Sequence, residues 1–94
     1  MNKLTPAETE RLAKFLEEMG ECLAAIGKIQ VHGYESTYPE DPETNREWLE
    51  KEMGDLKAAI HRMEKNGDVS STTINERMEY KLKTGGKYLY YNKN

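Results

Sequence analysis

Leu12-Ala13-Lys14-Phe15-Leu16-Glu17-Glu18-Met19-Gly20-Glu21-Cys22-Leu23-Ala24-Ala25-Ile26 is the stretch on which the fold turns. Leu12, Leu16, Met19, Leu23 and Ile26 recur every three or four residues, so a rotation of about 100° per residue puts them on one helical face. Upstream, Thr5-Pro6-Ala7-Glu8 supplies a capping hydroxyl, a proline suited to the first helical position and a glutamate that completes a capping box. The spacing predicts a first helix over 6–31, stopped near His32-Gly33.

Working outward, residues 32–43 lose all periodicity and contain Gly33, Pro39 and Pro42, which marks a loop. Its length points to a functional loop. Thr44-Asn45-Arg46-Glu47 is a second capping box, followed by Leu49, Met53, Leu56, Ile60 and Met63 at alternating four- and three-residue steps. That is the seam of a paired helix, predicted over 45–65 and ended by Asn66-Gly67. Thr73 and Glu76 open a shorter helix over 73–84, with Ile74, Met78 and Leu82 as its apolar stripe, and Gly85-Gly86 breaks it. An aromatic tail, residues 85–94, remains. The expected fold is all-α: a long antiparallel hairpin and a shorter C-terminal helix in one domain, 1–94, assembling as a four-helix-bundle oligomer.

Composition supports an assembly. The chain has 94 residues, of which 36% are hydrophobic and 33% charged; the mean hydropathy is -0.94. So little apolar surface per residue calls for a staple, a bound ion or a partner chain. Cys22 is the single cysteine, which excludes an intrachain disulfide. A net charge of -3 lacks the basic footprint of a nucleic-acid binder, so no DNA or RNA partner is expected. No run of about 18 apolar residues is present, so no membrane span is expected. Met1 to Pro6 leads into charged residues rather than an apolar signal segment, and a soluble, cytoplasmic protein is the expectation.

The acids fall on particular faces. Glu18 and Glu21 lie one helical step apart, beside the small residues Ala24, Ala25 and Gly27; Glu52 and Asp55 form a matching pair on the second helix. Antiparallel pairing lets the four converge, and four ionised carboxylates at close range require a cation. Mg²⁺ is the expected ion, with Mn²⁺ as the alternative, because hard divalent cations take oxygen ligands and bind substrate phosphates alongside. Lys28 and Arg62, each seven residues beyond an acid, are expected to reach the phosphates from one shared cleft. Trp48, on the acidic stripe, and Tyr34, in the loop with Tyr38, are candidates to stack on a base. His32 and His61 have no second His or Cys at ligand spacing, which argues against zinc.

Glu17-Glu18-Met19-Gly20-Glu21 with Glu52-Met53-Gly54-Asp55 resembles the EExxE…ExxD signature of the MazG-like, all-α nucleoside triphosphate pyrophosphohydrolases. The flanking Lys28-Ile29-x-x-His32-Gly33-Tyr34 and Asn45-Arg46-Glu47-x-Leu49-Glu50 look like those of short phage and bacterial members. The resemblance covers residues 12–65, with a weaker echo in Lys81-Leu82-Lys83. It implies hydrolysis of a nucleoside triphosphate to monophosphate and pyrophosphate. Glu18, Glu21, Glu52 and Asp55 are then the Mg²⁺ ligands, and Glu17 and Glu18 act on the attacking water. Lys81 resembles a basic position that holds the phosphates, and the expected assembly is a homodimer or a dimer of dimers. Lys57 and the Thr84-Gly85-Gly86 interruption depart from the family pattern. They leave open a non-catalytic nucleotide- or protein-binding module on the same scaffold.

Overall fold

The computed structural model describes residues 3–92. Its elements are α1 (Pro6–His32), α2 (Asn45–Lys65), α3 (Ser71–Thr84) and a short 3-10 helix over Gly85–Tyr88. Among the described residues the chain is all-α apart from one isolated antiparallel bridge between Thr37 and Thr44. The long α1–α2 pairing and the shorter C-terminal helix agree with the periodicity. The aromatic tail is described as far as Asn92, and its last two residues, 93 and 94, lie outside the described residues.

Local signals set the boundaries. Thr5 and Glu8 make both bonds of the capping box: the Glu8 N–H donates to Thr5 Oγ1 at 3.1 Å, and the Thr5 N–H donates to Glu8 Oε1 at 2.7 Å. Thr44 and Glu47 repeat that exchange at the start of α2, each bond at 3.1 Å. Gly33 (φ 86°) ends α1 and Gly67 (φ 77°) follows α2, both in the left-handed region that glycine enters without steric cost. One end differs from expectation: α3 begins at Ser71 rather than near 73, because Ser70 supplies the cap by accepting the Thr73 N–H at 3.2 Å. The α-helix ends at Thr84, as the Gly85-Gly86 pair predicts, and a 3-10 turn follows over Gly85–Tyr88.

The contacts group the chain into two units, one built on α1 and α2 as far as Met63, the other from Glu64 onward. In the first, the buried side chains are Glu18, Cys22 and Ala25 on α1 and Asn45, Ala59 and Met63 on α2. The leucine stripe faces solvent, with Leu16 67% and Leu23 69% exposed. The paired face is instead the small-residue side, where Ala25 (0% exposed) and Ala59 (2%) are the most deeply buried side chains. The inward face is thus lined by small and polar side chains, and the bulky stripe is left outside. In the second unit no residue of α3 is buried, and Ile74, Met78 and Leu82 are all exposed.

The loop between α1 and α2 is built rather than slack. Asn45 N–H donates to the Ser36 carbonyl at 2.9 Å and Arg46 N–H to that of Tyr34 at 2.9 Å. The Ser36 hydroxyl donates to the His32 carbonyl at 2.5 Å, and the buried Asn45 amide donates to the Gly33 carbonyl at 3.0 Å. Replacing Asn45 with Ala removes that bond and is expected to lower unfolding stability by about 1 kcal/mol. Urea denaturation checks this; an unchanged midpoint would contradict it.

Candidate metal centre

Glu18 sits on the inward face of α1, one turn before Cys22 and two before Ala25, so the pairing that buries the alanine also buries the carboxylate. It is 5% exposed. On α2, Glu52 is half-buried and Asp55 exposed; one oxygen from each of Glu18, Glu52 and Asp55 lies within 4.8 Å of the others. Lys14, one turn earlier on α1, ion-pairs with Glu18 Oε1 at 3.1 Å. The other oxygen, Glu18 Oε2, is buried without a hydrogen-bond partner.

An unpartnered carboxylate oxygen in a helix seam is costly, and a cation is the simplest group that satisfies it. Oxygens on opposite sides of a Mg²⁺ shell are about 4.2 Å apart, twice the metal–oxygen distance. At most one pair of three ligands is trans and neighbouring oxygens of the shell lie about 3 Å apart, so the three carboxylates, now within 4.8 Å of one another, must draw together to share an ion. The donor set is all oxygen, which suits Mg²⁺ or Mn²⁺ over softer metals. The residues present fit a hard divalent cation.

The electrostatics carry the same strain. Burial pushes the Glu52 carboxyl above its ordinary value, with the charges of Glu21, Asp55 and Glu18 adding to the rise, against a hydrogen bond from the Trp48 side chain. Burial also raises the Cys22 thiol, helped by Glu52, Glu18 and Asp55. Cys22 is thus a buried neutral thiol beside the acids.

The other expected site residues separate. Glu21 is exposed and lies outside the three-carboxylate set, although its charge is felt at Glu52. Glu17 is 59% exposed and pairs with Lys14 at 3.4 Å, turned away from the cluster by its place on the helix. Lys28 and Arg62 do not share a cleft. Lys28 lines a cavity with His32, Ser36 and Tyr38, whereas Arg62 lines another with Glu10, Arg11 and Lys14. Antiparallel pairing is the reason: residues after Glu18 on α1 lie beside those before Glu52 on α2, and the reverse. Tyr34 is engaged elsewhere, its ring 4.4 Å from the Arg46 guanidinium. Tyr38, from the same loop, joins Trp48 and Glu52 in lining a cavity of about 220 Å³. Lys81 belongs to the second unit, where it lines a groove with Leu82, Tyr88 and Leu89. Lys14 was not anticipated; its position four residues before Glu18 was the available signal.

No family model, curated protein or solved structure matches the chain. Among the described residues, no helix is long and apolar enough to cross a membrane.

Because the folded state disfavours ionised Glu52, its ionisation opposes folding at pH values above its raised pKa. This penalty is absent once the carboxyl is protonated in both states. Glu52→Gln is therefore expected to be more stable than the parent at neutral pH in metal-free buffer. The advantage fades as the pH falls toward 4.5, the ordinary carboxyl value. Millimolar Mg²⁺ raises the parent's melting temperature and leaves that of the variant nearly unchanged. Equal melting curves at both pH values, or no response of the parent to Mg²⁺, would contradict the site.

Proposed function

We propose that this chain is a Mg²⁺-dependent nucleoside triphosphate pyrophosphohydrolase, acting as a homodimer or dimer of dimers. The observation that carries the reading is the inward-facing Glu18, with an orphaned oxygen, grouped with Glu52 and Asp55. The EExxE…ExxD resemblance supplies the substrate class.

Glu18, Glu52 and Asp55 would hold the Mg²⁺ ion, which would supply neutralisation of phosphate charge and a more acidic water. Water is added across the anhydride between the α- and β-phosphates; that P–O bond breaks, leaving a nucleoside monophosphate and pyrophosphate. Lys14 fixes one Glu18 oxygen and so presents the other to the ion. Glu21, beside the set, is the chain's own candidate to complete an oxygen shell. Trp48, hydrogen-bonded to Glu52, couples the ligand set to the aromatic cavity where the nucleoside is accommodated. The exposed α1 stripe from Leu12 to Ile26 is the surface offered to a second copy.

Incubation with a panel of nucleoside triphosphates and Mg²⁺, followed by product analysis, should release equal amounts of monophosphate and pyrophosphate. Glu52→Gln and Asp55→Asn should each reduce turnover by about 10²-fold or more. No turnover on any nucleotide would refute hydrolysis; tight nucleotide binding without product would identify a binding module on the same scaffold. Light scattering should give a dimer or tetramer for the parent and a smaller species for Leu16→Glu/Leu23→Glu, whereas a monomeric parent would remove the assembly from the proposal.

A further inference from the structure

Charge is spread unevenly along this chain. The total is -3, yet no Asp or Glu follows Glu79, and four lysines do: Lys81, Lys83, Lys87 and Lys93. The same stretch holds four of the six tyrosines, Tyr80, Tyr88, Tyr90 and Tyr91. A net charge averages over such segregation, so it argues against a chain-wide basic footprint and is silent on a local one.

The second unit leaves these residues in solvent. Lys81, Tyr88, Tyr91 and Asn92 line a groove of about 730 Å³ together with Leu82 and Leu89, and no carboxylate lines it. Tyr88, Tyr90 and Tyr91 are 78%, 82% and 89% exposed, so folding gains little from their rings. Tyr90 and Tyr91 meet edge to face with ring centres 4.8 Å apart, and the Lys87 ammonium lies 5.0 Å from the centre of the Tyr88 ring. Lys81, Lys83 and Lys87 take part in no ion pair among the described residues. Bare rings beside uncompensated ammonium groups suit a ligand that alternates planar and anionic parts.

Single-stranded nucleic acid has that alternation: unpaired bases offer π-faces to the tyrosines, and phosphates offer charge to the lysines. A lipid surface matches less well. Interfacial segments bury Trp, Phe or Leu, whereas the most exposed rings here are all tyrosines. We propose that the segment 81–92 is a binding site for single-stranded nucleic acid, with Tyr88 and Tyr91 as stacking platforms and Lys81, Lys83 and Lys87 as phosphate contacts. The site lies wholly in the second unit and stands apart from the acidic cluster of the hairpin and from the pyrophosphohydrolase reading.

Fluorescence anisotropy of labelled oligo(dT) and oligo(U), each about 15 nucleotides long, tests this with the full chain. Both should bind at about 50 mM salt, with log affinity falling against log salt at a slope of about -2, the value for three phosphate contacts on a single strand. A duplex of the same length, whose bases are closed to the rings, should bind at least about tenfold more weakly. Tyr88→Ala and Tyr91→Ala should each weaken binding about tenfold, while Tyr88→Phe and Tyr91→Phe, which keep the ring, should stay within about twofold of the parent. Lys83→Gln should make the salt slope shallower by about 0.7. No binding of either oligonucleotide, equal affinity for the duplex, or Ala variants that bind like the parent would overturn the proposal. Binding to phosphatidylserine vesicles with no binding of either oligonucleotide would also overturn it, and would give the segment to a membrane surface instead.

Discussion

The Glu18 carboxylate in the seam between α1 and α2 is the constraint on which the rest depends. A buried acid with one oxygen unpartnered opposes folding unless something positive arrives. Lys14 answers half the demand from the surface of the same helix. The other half falls between Glu52 and Asp55, two acids that worsen the repulsion in the absence of a cation and become ligands in its presence. The same residues that repel one another in the hairpin therefore form a donor set compatible with a hard cation.

Packing explains how an acid came to face inward. Glu18, Cys22 and Ala25 fall at successive turns of one α1 face, so the turn that buries Cys22 and Ala25 buries the acid with them. Leu12, Leu16, Met19, Leu23 and Ile26 are left on the outside of a chain with little apolar surface to spare. A stripe of that length on a small domain is the kind of surface that a partner chain covers. The helix divides into two faces: a narrow, polar-centred one that turns into the hairpin, and a broad apolar one left exposed.

Much of this was legible in the sequence where the physics is local. The Thr5–Glu8 and Thr44–Glu47 boxes and the glycines at 33 and 67 mark the helix ends because each acts within a few residues. The convergence of Glu18, Glu52 and Asp55 followed from spacing plus antiparallel pairing. What spacing did not show was which face of α1 turns inward, since hydrophobicity ranks the leucines first and is blind to whether a stripe is covered by its own chain or another. The loop was opaque for a related reason. Tyr34 and Tyr38 are alike in sequence, and only long-range bonds from Asn45 and Arg46 decide that one ring meets a guanidinium and the other lines a cavity. The seven-residue steps to Lys28 and Arg62 look equivalent in sequence, and only the opposed helix directions send them to different cavities.

If Glu18 Oε2, Glu52 and Asp55 hold one divalent cation, electron paramagnetic resonance of Mn²⁺ detects it without reference to any substrate. Titrated into metal-free protein, Mn²⁺ should lose its free-ion signal at one ion per chain. The signal should return on addition of excess Mg²⁺, and Glu18→Gln should abolish the uptake. A free-ion signal undiminished by the protein, or equal uptake by Glu18→Gln, would contradict the account.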